Sequence, residues 1–336
     1  MVAKRYIYSP VFELENGQSL SGIEIAYHTY GKLNTTGDNV VWICHALTAN
    51  SDAMDWWSGL VGFGKLFDPE KYFIVCANIL GSCYGSSGPL SKDPSTGVPY
   101  YSNFPQITIR DMVRAHQLLR KHLNVHQIAL CVGGSMGGYQ VLEWLVMEPG
   151  LIRKSLLLAT GACESAWGIA IHTAQRMAIE SDVSWREAQP SAGAIGLRTA
   201  RAIGMLTYRN YRSFVERQTD PDSTKLDHFK ASSYILYQGE KLMKRFNAYS
   251  YWLLTKAMDS HNLARGRASI PELLATISSP TLIIGLSSDL LCPVEEQLYL
   301  AKHMPAARFE LIDSPYGHDG FLIEWEIIEK KVKDFF

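Results

Sequence analysis

A serine flanked by glycines is the most chemically suggestive feature of the chain. An apolar run at 128–132 leads into Gly133-Gly134-Ser135-Met136-Gly137, and a helical pattern follows at once. Gly-x-Ser-x-Gly between a strand and a helix is typical of a nucleophile elbow, a turn so tight that larger flanking side chains would clash. The turn would expose the Ser135 hydroxyl at a helix N-terminus, where backbone N–H groups favour developing negative charge.

Two further side chains could activate this serine. A serine hydroxyl is a weak nucleophile until a base takes its proton, and in this type of site the acid and then the histidine follow the serine in the chain. Asp289 follows the apolar run 281–285, and His318 follows the run 308–312. We therefore predict a catalytic triad of Ser135, Asp289 and His318, in which the aspartate orients the imidazole and stabilises its charged form.

Two other aspartates lie near the histidine in sequence. Asp313 comes one strand later than Asp289 and is the alternative acid. Asp319 directly follows His318, so its side chain cannot easily face the imidazole. The order of the chain favours Asp289 and leaves Asp313 open.

Acyl transfer also needs two N–H donors that face the carbonyl oxygen. One normally comes from the residue after the nucleophile, here Met136, and the other from a loop after an earlier strand. The run 40–45 ends in His45-Ala46-Leu47-Thr48, so we expect the backbone of Leu47 to be the second donor. His45 precedes the serine, which is the wrong order for a triad base, and we interpret it as a structural residue.

The elements that would position these groups alternate along the chain. Continuous apolar runs predict strands that are buried on both faces, at 40–45, 72–79, 128–132, 155–159, 281–285 and 308–312. Helical patterns occupy 108–123, 136–147, 293–304 and 321–336, and Thr108 with Asp111 three residues later is typical of a helix start. This alternation predicts an α/β fold with a mostly parallel, doubly wound sheet.

One long stretch breaks the alternation. Residues 162–277 lack buried-strand runs and carry helical patterns at 167–181, 191–208 and 232–255, with a loop near Asp220. We therefore divide the chain into a core of residues 1–161 and 278–336 and a helical cap inserted at 162–277.

Composition excludes several classes of protein. The chain has 336 residues, 47% of them hydrophobic and 19% charged, which is ordinary for a globular protein. Its net charge of −1 gives no electrostatic reason to expect binding to nucleic acid or to a membrane surface. The start lacks the pattern of a secretory signal, and the six cysteines fit free, mostly buried thiols rather than disulfides or a metal site, so we expect a cytoplasmic protein.

Longer motifs resemble those of the homoserine O-acetyltransferase family, whose members have the α/β-hydrolase fold. They include HALT at 45–48, NILGSCYGSSGP at 78–89, FPQITIRDMVRAH at 104–116, GGSMGG at 133–138, RAIGMLTYR at 201–209, SSDLLCP at 287–293 and GHD at 317–319. The likeness covers nearly the whole chain. Departures are modest: Ser86-Ser87 in the second motif and Cys292 at a position where an apolar aromatic residue is more usual.

The resemblance implies an activity and a binding site. It implies acetyl transfer from acetyl-CoA to the hydroxyl of L-homoserine through an acetyl-serine intermediate, in methionine biosynthesis, with no permanent cofactor, no metal and a homodimer formed through the cap. It also implies that Arg201, Tyr208 and Asp319 bind the acceptor. These roles make chemical sense, because a guanidinium can hold a carboxylate in a bidentate fork and Asp319 can pair with an ammonium group.

Three alternatives stay open at this stage. A serine esterase would use the same triad but would not require Arg201, Tyr208 and Asp319. A relative with succinyl-CoA as donor or L-serine as acceptor would share nearly all of the motifs. A catalytically inactive binding protein on the same fold would have no need of the complete triad.

Overall fold

A central sheet of eight strands forms the framework of the molecule, whose computed structural model describes residues 2–336. The strands of the chain are β1 Lys4–Tyr8, β2 Phe12–Glu13, β3 Ser19–Leu20, β4 Ile23–Tyr30, β5 Val40–Cys44, β6 Phe73–Ala77, β7 Ile128–Gly134, β8 Ser155–Leu158, β9 Thr281–Leu286 and β10 Ala307–Ile312. The sheet order is β1-β4-β6-β5-β7-β8-β9-β10, and β2 and β3 pair separately. β4 is antiparallel to both neighbours, whereas the six strands from β6 to β10 are parallel.

Helices account for most of the remaining regular structure. They are α1 Ala53–Trp56, α2 Ile109–His122, α3 Met136–Met147, α4 Ala166–Glu180, α5 Ala194–Tyr208, α6 Tyr211–Gln218, α7 Lys230–Met243, α8 Ala248–Asp259, α9 Ile270–Ala275, α10 Val294–His303, α11 Gly320–Ile323 and α12 Trp325–Phe335. Short 3₁₀ helices occur at Tyr101–Asn103 and Gly317–Asp319. No helix in residues 2–336 is long and apolar enough to cross a membrane.

The sheet is buried on both faces, as the continuous apolar runs predict. Trp42 packs in a large cluster that includes residues of α2 and α3, and its neighbour Ile43 packs in a second cluster on the other face with α12. Successive side chains of a strand point to opposite faces, so a run that is buried on both sides has to be apolar throughout. The predicted mostly parallel α/β sheet is confirmed, and it brings the carboxyl ends of β5, β7, β9 and β10 to one edge.

The sequence-based elements differ from the structure in several places, and the short elements β2, β3 and α1 were not predicted. β1 and β4 were not predicted, because they lie at the antiparallel edge and mix polar with apolar residues. The pattern at 232–255 is two helices, since the Asn247 side chain accepts a hydrogen bond from the N–H of Ser250 and begins α8. The pattern at 321–336 is interrupted at Glu324, and α6 and α9 are additional helices within 162–277.

The start of α2 shows why its first residue could be predicted. The Thr108 hydroxyl accepts a hydrogen bond from the N–H of Asp111 at 3.2 Å, and the Asp111 carboxylate accepts one from the N–H of Thr108 at 3.0 Å. This reciprocal arrangement is a capping box, which satisfies two N–H groups that would otherwise lack a partner. Asp111 also accepts a hydrogen bond from the N–H of Glu15 at 2.8 Å, so the helix start is tied to the N-terminal segment.

We expect Thr108→Ala to lower the free energy of unfolding by about 1 kcal/mol, the typical effect of removing an N-cap hydroxyl. Thr108→Ser keeps the hydroxyl and should lose much less. Urea denaturation of both variants and the parent protein measures the difference. Equal stability of the alanine and serine variants would contradict a capping role.

Candidate active site

The predicted nucleophile lies in a strained turn at the edge of the sheet. Ser135 joins β7 to α3 and has φ 55° and ψ −127°, a conformation that costs a non-glycine residue roughly 1–3 kcal/mol. Surrounding contacts hold it there: its N–H donates to the carbonyl of Leu158 at 2.9 Å, and its carbonyl accepts from the Thr160 hydroxyl at 2.9 Å. A side chain on Gly137 would overlap the carbonyl oxygen of Cys44, so the turn needs glycine at that position.

The predicted histidine and acid are directly hydrogen-bonded to each other. His318 Nδ1 lies 2.7 Å from Asp289 Oδ2, and both residues are buried. The other carboxylate oxygen, Asp289 Oδ1, accepts hydrogen bonds from the N–H groups of Leu291 at 2.8 Å and Cys292 at 3.0 Å. Both oxygens are therefore engaged, which fixes the carboxylate and, through it, the plane of the imidazole. With Nδ1 donating to Asp289, Nε2 is the ring nitrogen left to accept a proton.

The alternative acid has a different partner. Asp313 Oδ1 accepts a hydrogen bond from the Ser287 hydroxyl at 2.7 Å. Ser287 and Asp313 both follow strands at this edge, so the contact joins the ends of β9 and β10. The geometry therefore favours Asp289 over Asp313 as the partner of His318.

The charge on Asp289 changes the basicity of the histidine. Burial lowers the pKa of His318, but the neighbouring carboxylate of Asp289 and its hydrogen bond more than offset that effect, with smaller contributions from Asp319 and Glu164. The net pKa of His318 is raised above its ordinary value. A raised pKa makes the neutral imidazole a stronger base toward a serine proton.

A single cavity brings most of the predicted residues together. It has a volume of about 520 Å³, and its wall includes Leu47, Ser135, Arg201, Tyr208, His318 and Asp319. Asp289 lies behind His318 rather than in the wall. The Met136 side chain is fully buried, but as the first residue of α3 it has an N–H without an acceptor inside the helix.

The loop that carries Leu47 is held by a buried histidine. His45 Nδ1 lies 2.9 Å from the carbonyl of Ala46, and Nε2 accepts from the N–H of Ile79 at 3.2 Å. Burial lowers the pKa of His45 to about 4, so the ring is neutral and can donate from one nitrogen while it accepts at the other. These contacts give His45 the structural role that the sequence indicates.

One residue that sequence reasoning missed connects the two predicted N–H donors. Gln140 Nε2 donates to the carbonyl of His45 at 3.1 Å and to the carbonyl of Met136 at 3.2 Å. It therefore joins the loop before Leu47 to the first turn of α3. Gln140 lies four residues after Met136 and therefore on the same face of α3. This spacing is the only feature of the sequence that indicates a link between the two residues.

The acceptor residues predicted from the resemblance, Arg201, Tyr208 and Asp319, all line this cavity. The Arg201 guanidinium is 5.2 Å from the centre of the Tyr208 ring, and that ring is 5.9 Å from the His318 ring. Asp319 Oδ2 pairs with Arg209 Nη1 at 3.1 Å, a partner that sequence reasoning missed. One oxygen of Asp319 is thus already paired with a side chain of the protein itself.

Comparison with known proteins places the chain among enzymes. Residues 39–324 match the family model described as the alpha/beta hydrolase fold. The chain is 47% identical to a homoserine O-acetyltransferase of Cyclobacterium marinum, covering 100% of this chain and 95% of the relative. It is 44% identical to a homoserine O-acetyltransferase of Trichormus variabilis, covering 98% of this chain and 93% of the relative.

Solved structures agree on the fold. A homoserine O-acetyltransferase from Staphylococcus aureus superposes with a TM-score of 0.83 at 28% identity, covering 99% of this chain and 94% of that one. An acetylester hydrolase from Corynebacterium glutamicum superposes with a TM-score of 0.87 at 21% identity, covering 99% and 95%. The second comparison concerns the fold alone, and it shows that the same architecture carries a hydrolase.

We expect Asp289→Asn to lower the pKa of His318, because the substitution removes the carboxylate charge that raises it. The amide can keep the hydrogen bonds from the backbone N–H groups of Leu291 and Cys292, so the fold should survive. NMR titration of the imidazole measures the pKa. Asp313→Asn is the matched control and should leave it unchanged; an effect of Asp313→Asn larger than that of Asp289→Asn would assign the acid to Asp313.

Proposed function

This chain belongs to the homoserine O-acetyltransferase family of the α/β-hydrolase fold, and we propose that it transfers the acetyl group of acetyl-CoA to the side-chain hydroxyl of L-homoserine. The products are O-acetyl-L-homoserine and CoA, a step of methionine biosynthesis. The observation that carries the proposal is that one cavity is lined by Ser135, His318, Arg201 and Asp319. The chain also matches homoserine O-acetyltransferases along nearly its full length.

The first half of the proposed reaction forms an acetyl-enzyme. Ser135 Oγ attacks the thioester carbonyl carbon while His318 Nε2 takes the hydroxyl proton, and Asp289 stabilises the resulting imidazolium. The N–H groups of Leu47 and Met136 donate to the oxyanion, and Gln140 keeps their two segments together. The carbon–sulfur bond then breaks, and the CoA thiolate leaves with the proton from His318.

The second half transfers the acetyl group to the acceptor. The homoserine hydroxyl gives its proton to His318 Nε2 as its oxygen attacks the ester carbon of acetyl-Ser135. The same N–H groups hold the second oxyanion. The ester bond to Ser135 breaks, Oγ takes the proton back from His318, and the product leaves. Splitting the transfer into two steps predicts ping-pong kinetics.

Arg201 and Asp319 are the proposed contacts to the ends of the acceptor. The guanidinium of Arg201 can hold the carboxylate in a bidentate fork, and the Tyr208 ring supports that guanidinium from one side. Asp319 Oδ2 pairs with Arg209, which leaves Oδ1 for the ammonium group. A substrate held at both ends presents its hydroxyl in a fixed direction.

The helical stretch between β8 and β9 is the proposed cap. We assign residues 162–277 to it and residues 1–161 and 278–336 to the catalytic core, because this stretch supplies Arg201, Tyr208, Lys241 and Arg245 to a cavity whose remaining wall comes from the core. The proposal includes a cytoplasmic location, which the free thiols of all six cysteines support. It also includes a homodimer through the cap helices, which expose apolar residues such as Leu206, Tyr211 and Leu236.

Hydrolysis is the second candidate function. An acetyl-Ser135 intermediate would also react with water, and the fold is shared with an acetylester hydrolase. The two candidates differ in what removes the acetyl group from Ser135, an alcohol or water. A succinyl-CoA donor would be recognised by the mass of the adduct on Ser135, and an L-serine acceptor by its consumption.

We expect brief exposure to acetyl-CoA to add one acetyl group to Ser135, detectable by mass spectrometry of the intact protein, because the serine ester is the intermediate. The adduct should disappear quickly when L-homoserine is added and slowly in buffer or with L-serine. Ser135→Ala should show no adduct. An adduct formed only from succinyl-CoA would change the donor, and a loss that ignores homoserine would establish a hydrolase.

We expect Arg201→Lys to slow the second half-reaction about 100-fold at low homoserine concentration, because a point charge replaces the bidentate fork at a cost of roughly 2–3 kcal/mol. The rate of acetyl-Ser135 formation should not change. Single-turnover measurements separate the two halves. Arg198→Lys on the same helix is the matched control, and an equal loss in both half-reactions of Arg201→Lys would indicate a structural role.

A further inference from the structure

Two basic side chains lie in the wall of the catalytic cavity but have no part in the proposed acyl transfer. Lys241 is in the last turn of α7, and Arg245 follows four residues later, just beyond the end of that helix. Both are exposed to solvent, and both line the cavity that contains Ser135. They therefore stand where the catalytic cavity meets the surrounding water.

The cavity wall carries an excess of positive charge. Its basic side chains are Arg201, Lys241 and Arg245, and its carboxylates are Asp55 and Asp319. Asp319 is already paired with Arg209, which lies outside this wall. The chain as a whole has a net charge of −1, so the positive excess is local to this cavity. A positive, partly enclosed surface attracts and concentrates an anionic ligand.

Arg245 is held in a fixed orientation. Its Nη1 donates to the carbonyl of Thr48 at 2.6 Å and to the hydroxyl of Tyr84 at 2.5 Å. Tyr84 packs edge-to-face against Phe246, with ring centres 5.7 Å apart. The two hydrogen bonds that the structure gives the guanidinium of Arg245 both use Nη1, so the Nη2 and Nε side of the planar fork can donate to a ligand. A preoriented guanidinium loses little side-chain freedom when it binds a phosphate.

We propose that Lys241 and Arg245 bind the phosphate groups of the CoA donor. The inference rests on the proposed function, in which the thioester has to reach Ser135. The pantetheine arm is a neutral chain that can enter the cavity, whereas the pyrophosphate and the ribose 3′-phosphate are strongly hydrated anions that stay near its opening. Lys and Arg side chains are the usual partners of phosphate oxygens, Arg through a bidentate fork and Lys as a point charge. A side-chain site of this kind needs no glycine-rich phosphate loop, and the glycine-rich segment GSCYGSSGP at 81–89 does not match the P-loop motif.

The site also connects the donor to the oxyanion-binding loop. Thr48, whose carbonyl accepts from Arg245, directly follows Leu47, the proposed oxyanion donor. A phosphate on the free side of the guanidinium would therefore bind to a group that already supports this loop. Arg201, by contrast, stacks on Tyr208 next to His318 and is placed for the acceptor. In this proposal Arg201 binds the acceptor, whereas Lys241 and Arg245 bind the donor.

The test compares a donor that carries phosphates with one that lacks them. We expect Lys241→Glu to raise the KM for acetyl-CoA about ten-fold, which corresponds to roughly 1.4 kcal/mol for reversing one charge near a phosphate. The KM for acetyl-pantetheine, which has the same thioester and no phosphate, should stay within two-fold of the parent value. Lys230→Glu is the matched control: it makes the same change in net charge on the same helix, 11 residues or about 16 Å away, and should leave both constants unchanged.

Other outcomes would overturn the inference. Equal effects of Lys241→Glu and Lys230→Glu on acetyl-CoA would indicate general charge attraction, and equal effects of Lys241→Glu on both donors would indicate altered structure. An unchanged KM for acetyl-CoA in Lys241→Glu would also contradict it. Arg245→Gln should lower kcat with both donors, because Thr48 loses its donor, and should additionally raise the KM for acetyl-CoA alone. Absence of transfer to homoserine from either donor by the parent protein would refute the proposed function instead.

Discussion

The close approach of two backbone segments at Ser135 is the constraint on which the rest of the site depends. β5 and β7 are adjacent parallel strands, and the first turn of α3 lies against the carbonyl of Cys44 with space only for the hydrogens of Gly137. This contact places the loop after β5 beside the N-terminus of α3, so the two proposed oxyanion donors belong to adjacent segments. The strain in the Ser135 backbone is sustained because the strand before it and the helix after it are largely buried and cannot relax without exposing the core.

A second contact joins the proposed cap to the loop of His318, the proposed base. Gly317 has φ +63°, and a side chain on it would come within 2.7 Å of the carbonyl oxygen of Tyr208. The backbone at the end of α5 therefore rests directly on the loop that carries His318, and the ion pair between Arg209 and Asp319 spans the same junction. Because Arg201 and Tyr208 belong to α5, movement of the cap would displace the acceptor site and the histidine loop together. One interface thus positions both the proposed acceptor residues and the proposed base.

The parts of the site that could be predicted from sequence are those fixed by local patterns. The elbow at Ser135, the strand-end positions of Asp289 and His318 and the buried parallel strands follow from short-range sequence rules. Gln140 and Arg209 could not be predicted in the same way, because their roles depend on partners 95 and 110 positions away, His45 and Asp319. β1 and β4 escaped prediction because an antiparallel sheet edge has no continuous apolar run. The proposed role of Arg201 in binding the acceptor rests on the resemblance alone, since an arginine on a helix is usually a solvated surface residue.

The choice between transfer and hydrolysis depends on the proposed acceptor residues, Arg201 and Asp319, rather than on the triad. The proposed triad and oxyanion donors would act on the acyl group in the same way whether water or an alcohol attacks. An alcohol held at its carboxylate and its ammonium group reacts as an oriented neighbour, and orientation of this kind can contribute about 7–11 kcal/mol at best. A water molecule has no carboxylate and no ammonium group for Arg201 and Asp319 to bind, so these residues do not orient it. Arg201 and Asp319, as the proposed contacts to the two ends of the acceptor, therefore give homoserine an advantage over water that the triad alone does not provide. This advantage favours acetyl transfer over hydrolysis.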